Sequence, residues 1–491
     1  MKKILFTVAA LGLGLGLAAS VASAEMSFSS TGKYEAQGFY VSEGSSSGQG
    51  MQVGIFDKNL SWSAGACTNG GLDFVDADDN PYCINYYDTK ANDMWHHSLY
   101  IFPELKVNDN VALKSEIRMI DRDVWGSNQA TGPINSAAYE NMRLRLLWME
   151  YMSPVGKWQI GRILGGGWGT KFLDSTGNRD RIKWYPSFMP ENWGMLLLYQ
   201  KGAEKDAFDG STDEADVASY YVGLSWTADF GKTDAAFWHN RFDEDYQSGP
   251  SYDNTEFWLA TNYKLAGMNF VGELNYGFGD DSAGADISSL ALMGDLSMQI
   301  ESFTIGGLAF WLQGDMTVDN DNEGYIGRNG VGNDYNPFAI ATGDYMGLLN
   351  GDKNGYLSAV TAVLGIPGYE DLVPELGSGG QGTPGALALA AYGKWQMNEK
   401  LGFNAAVGYI WADEVPSGVD DGMGMEFDVG LSYKLLDNLT YSATFAYMAP
   451  GGMLDDLAKG VSEALTDIAG TPVATGTNNI YLLLHNLTMT F

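Results

Sequence analysis

The most constraining feature of this sequence is a run of about ten residues with alternating hydrophobicity, repeated along most of the chain. Between residues 425 and 435, apolar side chains occupy every second position, while Glu, Asp, Gly, Ser and Lys occupy the positions between them. Successive side chains of a β-strand point to opposite faces, so this run predicts a strand with one apolar face and one polar face. The same alternation recurs in residues 254–265, 268–279 and 438–448.

The connections between these runs alternate between short and long. The short ones are turns at residues 108–110, 153–156, 266–267, 398–400 and 436–438. The long ones are polar and rich in Gly, Asp and Asn, at residues 42–93, 126–139, 164–178, 204–215, 244–252, 280–286, 316–384, 414–422 and 449–476. Short periplasmic turns and long extracellular loops are typical of antiparallel transmembrane β-barrels. The pattern predicts an all-β chain of 18 strands, or of 16 strands if residues 179–186 and 193–203 form a loop excursion.

The first 24 residues have the three parts of a secretory signal peptide. Two lysines are followed by an apolar run from residue 4 to residue 21, and Ala22-Ser23-Ala24 forms a small-residue cleavage site. We expect cleavage before Glu25, the alternative being a retained membrane helix. In residues 25–491 no stretch approaches the roughly 18 apolar residues that span a bilayer as a helix. If this part enters a membrane, it does so as a closed barrel, and the 316–384 loop is long enough to fold into the lumen as a constriction or plug.

The charge balance and the two cysteines narrow the environment. A formal net charge of −33 should repel nucleic acid and attract cations, and should repel lipopolysaccharide unless divalent ions bridge the two. High Gly and aromatic contents suit short strands and membrane-interface girdles. Cys67 and Cys83 lie in one loop-like stretch, and the secreted context permits a disulfide between them.

The end of the chain carries the sharpest motif. Every second residue of the last strand is apolar and the chain finishes on an aromatic, in the series Tyr481, Leu483, Leu487, Met489 and Phe491. This series is similar to the C-terminal targeting signal that the assembly machinery of the bacterial outer membrane reads. His485 occupies a place on that face where an apolar residue is more usual.

A second motif lies in residues 156–162, which read Gly-Lys-Trp-Gln-Ile-Gly-Arg. They are similar to a turn and strand found in many porins, whose arginine faces the pore, and together with the architecture they make the chain resemble a Gram-negative outer-membrane porin. The resemblance implies an outer-membrane location among lipopolysaccharide, and a homotrimer is compatible with it. It gives Arg162 a pore-lining role, which requires a bulge near Gly161 because alternation alone places Arg162 with Trp158 and Ile160.

Basic residues cluster in the first part of the predicted barrel, since seven of nine arginines lie between residues 118 and 181. Arginine facing lipid near mid-membrane costs roughly 2–4 kcal/mol, so we expect these side chains to face the lumen. On the strand of Arg143 and Arg145, we expect Leu144 and Leu146 to point to the other, outer face. The predicted pore-lining set is Lys114, Glu116, Arg118, Arg122, Arg143, Arg145 and Arg162. Two interpretations remain open. The set is either a basic ladder opposed by acidic residues across a constriction, or a wall stiffened by pairing with Glu104, Glu116 and Glu150.

One loop segment suggests calcium. Residues 350–358 resemble the start of an EF-hand loop, with oxygen ligands at Asn350, Asp352 and Asn354 and a glycine at the sixth place. The twelfth place is Thr361 instead of a bidentate glutamate, so a solvated turn is the alternative. Calcium in the extracellular loops is the only cofactor that the sequence suggests.

The function expected from these features is passive diffusion of ions and small hydrophilic solutes through a water-filled channel. No Gly-x-Ser-x-Gly, His-Glu-x-x-His or phosphate-loop motif is present, so we do not expect an enzyme. One alternative is the barrel scaffold of a porin–cytochrome electron conduit, which needs a multihaem cytochrome as partner because this chain has no haem-attachment motif. The other is a gated, substrate-specific channel closed by residues 316–384.

Overall fold

The structure is a computed structural model. The residues that it describes are 26–47, 50–53, 58–64, 72–75, 81–88, 90–124, 142–165, 169–170, 172–173, 177–203, 217–242, 252–280, 286–315, 321–325, 338–340, 384–415, 418–456, 458–459 and 477–491. Of the twenty strands in the main sheet, eighteen have ten residues or more and form the wall. In chain order these are β1 (Ser27–Ser47), β2 (Lys90–Asn108), β3 (Val111–Val124), β4 (Arg143–Ser153), β5 (Gly156–Gly165), β6 (Gly177–Pro186), β7 (Trp193–Ala203), β8 (Val217–Ala228), β9 (Gly231–Phe242), β10 (Tyr252–Leu265), β11 (Met268–Asp280), β12 (Asp286–Ile300), β13 (Phe303–Leu312), β14 (Ala386–Gln396), β15 (Leu401–Trp411), β16 (Gly422–Leu436), β17 (Leu439–Pro450) and β18 (Ile480–Thr490).

The wall closes on itself. Each of these strands pairs antiparallel with the next along the chain. Tyr34 of β1 is paired with Leu99 of β2 on one side and with Met489 of β18 on the other. The predicted 18-stranded antiparallel barrel is therefore confirmed. Residues 179–186 and 193–203 lie in β6 and β7, which are full members of the wall, so the 16-stranded alternative is wrong.

The remaining short strands lie outside the wall. Lys58–Ala64, Leu72–Val75 and Pro81–Asp88 form a separate three-stranded sheet within the connection from β1 to β2. Gly50–Val53 pairs with the end of β1, and Asp321–Asn322 pairs in parallel with the start of β12. Across the described ranges, no helical segment has both the length and the apolar character of a membrane-spanning helix.

The predicted division between an apolar and a polar face is present in the wall. In β16, Met425 and Phe427 are exposed on the outer face, while Glu426 and Asp428 are buried on the inner face. The same alternation continues around the barrel, because paired residues of neighbouring strands share a face. The outside is thus an apolar belt, and the inside is lined by polar side chains and by the segments that fold into it.

Aromatic rings gather near the short-turn end of the outer face. Trp158 stacks on Trp184 across β5 and β6, with ring centroids 5.3 Å apart. Trp395 of β14 stacks between Phe303 and Phe403, at 5.3 Å and 5.8 Å. An apolar band bordered by aromatic side chains is the surface that a bilayer and its interface require. The barrel is consistent with a location in the bacterial outer membrane.

The seam of the barrel is completed by the last residue. Phe491 N donates a hydrogen bond to Gly32 O (3.0 Å), and Gly32 N donates one to Phe491 O (2.6 Å). The aromatic ring of Phe491 lies over Gly32, where any Cβ atom would overlap it. The missing side chain at position 32 therefore makes room for the terminal ring on the outer face.

Three short segments fold into the barrel from the loops. They contain residues 169–173, 323–325 and 338–340 (residue 171 is outside the described part), and the last two belong to the 316–384 connection. Phe172 is fully buried against Phe310 of the inner wall, at 4.9 Å between ring centroids. Tyr325, Phe338 and Ile340 of the long connection are also buried, and the role of this connection as a constriction or plug stays a prediction.

Candidate functional site

The charged residues predicted on β3 and β4 meet on the inner wall. Glu116 is buried and accepts hydrogen bonds from Arg145 Nη1 (2.8 Å) and Arg118 Nε (3.2 Å). The guanidinium of Arg118 lies 5.1 Å from the ring centroid of Tyr100 on β2. A carboxylate shared by two guanidinium groups holds both in fixed places, so this part of the wall presents basic groups with little freedom.

The neighbouring acidic residues also pair as the sequence predicts. Lys114 Nζ lies 3.0 Å from Glu150 Oε2 and 3.7 Å from Glu104 Oε2. Gln159 Nε2 donates to Glu150 Oε1 at 2.7 Å. The wall is thus an interleaved set of basic and acidic side chains. This pairing is what the second of the two interpretations expects, and a role of the set at a constriction stays a prediction.

A β-bulge changes the faces predicted for β4. The pairing shifts between Glu116, which lies opposite Leu146, and Ile117, which lies opposite Leu144, so that Arg145 is the extra residue. Leu146 is consequently buried on the inner face beside Glu116, although the sequence placed it outside with Leu144. Arg143 lies opposite Arg118, on the predicted face. Arg122 belongs to β3, in a part whose side chains are outside the described set.

Arg162 lies on the outer face, and the predicted pore-lining role is wrong for this residue. It is paired with Leu147 of β4 and with Asp180 of β6, and its side chain is 57% exposed. The pairing through Gly161 and Ile160 is regular, so no bulge turns the strand. Alternation places Arg162 with Ile160, as it would in any unbroken strand.

Sequence reasoning missed a second basic group, on β5 and β6. Arg181 is buried, donates from Nε to Gln200 Oε1 at 2.7 Å, and lies 5.7 Å from the ring centroid of Trp238. Lys183 and Lys157 lie on the same inner face, opposite Gln159 and Tyr185. The signal was present, because basic residues occupy every second position from residue 179 to residue 183.

The acidic side of the inner wall holds the segments that fold inward. Ile340 N donates to Glu426 Oε1 at 2.6 Å, and Ala339 N donates to Asp428 Oδ2 at 3.1 Å. Both carboxylates belong to β16 and both are buried. A carboxylate that accepts from backbone N–H groups satisfies donors that would otherwise be buried without partners. These two contacts fix the position of residues 338–340.

A third carboxylate performs the same task for the segment near residue 170. Glu273 of β11 accepts a hydrogen bond from Thr170 N at 3.0 Å and another from the Thr170 hydroxyl. Tyr325 Oη then donates to Leu173 O at 2.9 Å, which joins two of the inward segments. Two of the three inward segments are therefore joined to each other, and two of them are held by carboxylates of the wall.

The arginines of β3, β4 and β6 and the carboxylates that hold the inward segments lie in different sectors of the circumference, here called the basic and the acidic sector, although Glu116 and Glu150 lie in the first. In a closed barrel of 18 strands, strands nine positions apart face each other across the lumen. β3, which carries Lys114 and Arg118, therefore faces β12, where Asp295 accepts from Tyr392 Oη at 2.7 Å. β7, next to the strand of Arg181, faces β16 with its two carboxylates.

The loop sites remain predictions. Cys67, Asn350, Asp352 and Asn354 lie outside the described residues, so the disulfide with Cys83 and the calcium loop are not tested. Within the described ranges, no three His, Cys, Asp or Glu side chains are grouped so that they could hold a metal ion.

Comparison with known proteins finds likeness at the level of structure. No model of a known protein family matches the chain, and no curated sequence matches it either. OccK5 (OpdH) of Pseudomonas aeruginosa is similar at 10% identity over 94% of this chain and 98% of that one, with a TM-score of 0.46. The outer membrane channel DcaP of Acinetobacter baumannii is 11% identical over 96% of this chain and 99% of that one, with a TM-score of 0.42. The trimer form of OmpT, an outer membrane protein of Vibrio cholerae, is 10% identical over 95% of this chain and 99% of that one, with a TM-score of 0.35. Likeness this weak says nothing about activity. The closed barrel itself is consistent with the Gram-negative outer-membrane porin that the sequence resembles.

Proposed function

We propose that this chain forms an outer-membrane channel for passive diffusion of ions and small hydrophilic solutes. The observation that carries the proposal is the opposite character of the two faces of each wall strand. The outer face is an apolar belt with aromatic borders, while the inner face bears charged and amide side chains. A polar lumen in a barrel of this size holds water in known transmembrane barrels, and small solutes cross through that water.

The inward segments and the two charge sectors suggest how solutes are sorted. Residues 338–340 and the segment near residue 170 occupy the acidic side and narrow the lumen. The remaining passage runs beside the basic groups of β3 to β6, among them Arg118, Arg145 and Arg181. A field across a narrow passage orients dipolar solutes and favours anions on the basic side. The net charge of −33 collects cations at the mouth, ahead of this passage.

Two measurements test the proposal. Reversal potentials across a planar bilayer under a KCl gradient should move toward cation selectivity in Arg118→Ala/Arg145→Ala, with the anion-to-cation permeability ratio falling several-fold. The outward-facing Arg241→Ala is the matched control and should leave the ratio unchanged. Wild-type protein that inserts but passes no current contradicts the open channel. An unchanged ratio in the double variant contradicts only the role of the basic sector.

A gated channel is the second candidate, and the buried contacts of residues 338–340 favour it. Ile340 is completely buried and its N–H group is held by a carboxylate, so the segment has a defined docked position. A signal that undocks it would widen the passage. Single-channel records with two discrete conductance levels would support gating, and one steady level under all conditions would count against it. The homotrimer with which the resemblance is compatible is part of the same proposal.

A further inference from the structure

The outer face carries one row of charges in a place where apolar side chains are expected. Arg162 of β5, Asp180 of β6 and Lys201 of β7 are paired in succession across the three strands. Arg162 Nη1 lies 4.0 Å from Asp180 Oδ2, and the two side chains are 57% and 60% exposed. Their own chain therefore leaves Arg162 and Asp180 open to the surroundings of the barrel.

The depth of this row follows from the pairing. Trp158 and Trp184, the aromatic border of the belt, are each four residues from the charge on their strand, toward the short turns. Four residues span roughly 13 Å along a strand, and a tilt of about 40° reduces this to about 10 Å along the membrane normal. The apolar band of such barrels is about 25 Å tall. Arg162 and Asp180 thus lie well inside the band.

The row of paired residues that contains Arg162, Asp180 and Lys201 continues to β9 and β10, where it reaches the extracellular edge of the apolar band. Because strands are tilted, a row that runs perpendicular to them changes height around the barrel. Arg241 of β9 and Asp253 of β10 are paired with each other near the extracellular strand ends. Arg241 lies eight residues beyond Thr233, which pairs with the border residue Trp226. This second charge pair is therefore near the interface, where charges meet water and headgroups.

Exposed charges inside the band are unfavourable against lipid chains. Outward residues beyond the girdle in β12, β14 and β15 include exposed apolar side chains instead, for example Leu296, Leu389 and Val407. The sector from β5 to β7 therefore differs from the lipid-facing part of the barrel.

We propose that the outer face of β5 to β7 around Arg162, Asp180 and Lys201 is an interface with a second copy of this chain. The inference rests on the proposed membrane barrel but not on conduction through it. The signs alternate along the row, so Asp180 of one copy can accept hydrogen bonds from the arginine or lysine of another. A protein partner replaces lipid around these charges, and a second copy of the chain brings the same alternating row into the same membrane.

Native mass spectrometry of protein extracted from outer membranes in a mild detergent tests this interface. Wild-type protein should have the mass of an oligomer. Arg162→Leu/Asp180→Leu removes one charge of each sign and should lower the oligomer fraction at least tenfold, while heat-modifiable gel migration shows a folded barrel. Arg241→Leu/Asp253→Leu is the matched control and should remain oligomeric. A monomeric wild type, an oligomeric Arg162→Leu/Asp180→Leu variant, or equal loss in both variants overturns the interface.

A second measurement identifies the occupant without removing the charges. A photo-reactive phenylalanine analogue in place of Tyr199, an outward residue next to Lys201 on its strand, is irradiated in intact membranes. Adducts of twice the chain mass support a second copy. Adducts with lipopolysaccharide alone, with another protein alone, or no adduct overturn the proposal. Conductance of the monomeric variant separates the two claims, because a single barrel that conducts keeps the channel even where the interface fails.

Discussion

Removing one buried carboxylate should release part of the constriction. Glu426→Leu deletes the acceptor for Ile340 N while keeping a side chain of similar size on the inner face of β16. The N–H group of Ile340 is then buried without its partner, which costs about 1–3 kcal/mol. Since 1.36 kcal/mol is a factor of ten, the equilibrium constant for docking of residues 338–340 should fall by a factor between about 5 and about 150.

Single-channel conductance reads out this release. We expect Glu426→Leu to spend more time at a higher conductance level than the wild type, and Glu426→Leu/Asp428→Leu to do so still more, because the second variant also removes the acceptor for Ala339 N. Asp234→Leu is the control, since it removes an inner-wall carboxylate whose contacts are with Ser225 and Lys232 on the wall itself. Identical level occupancies in all four proteins would refute the idea that these carboxylates hold the constriction.

Two further substitutions test the seam and the basic sector. Gly32→Val places methyl groups where the ring of Phe491 lies, and overpacking of this kind costs about 1–3 kcal/mol. The variant should assemble more slowly and unfold at a lower temperature. The control Gly294→Ala, on the same outer face with open space around it, should match the wild type. Equal behaviour of both variants would contradict the packing of Phe491 on Gly32. Arg181→Leu removes a basic group that donates to Gln200, so the anion-to-cation permeability ratio should drop several-fold, and an unchanged reversal potential would contradict its part in selectivity.

Period-two alternation was sufficient to predict the wall. The register of β16 keeps Met425 and Phe427 outside and Glu426 inside, as the spacing of apolar residues requires. The number of strands followed from the alternation of short and long connections. Both signals are local, and a strand exposes its two faces to different surroundings wherever the sheet closes. For the same reason, alternation located Arg162 correctly where resemblance to a porin motif did not.

Features that depend on several strands at once were out of reach. The bulge at Arg145 exists only in relation to Glu116 on the neighbouring strand. The depth of Asp180 in the belt depends on the tilt that relates one strand to the next. Glu426 and Glu273 hold inward segments instead of lining open water. This depends on where residues 338–340 and 169–170 return to the wall. None of these follows from the spacing of residues along one strand.

Substituted-cysteine accessibility along β16 tests the two-faced wall most directly. Single cysteines at positions 427 to 432, in a background where Cys67 and Cys83 are replaced by serine, are exposed in sealed vesicles to a charged, membrane-impermeant thiol reagent. Positions 430 and 432 should react through the aqueous lumen, whereas 427, 429 and 431 should be protected by lipid. A fluorophore attached at these three positions should instead be quenched by a spin label carried on a lipid. Reaction without a two-residue period, or equal protection at every position, would contradict a water-filled barrel.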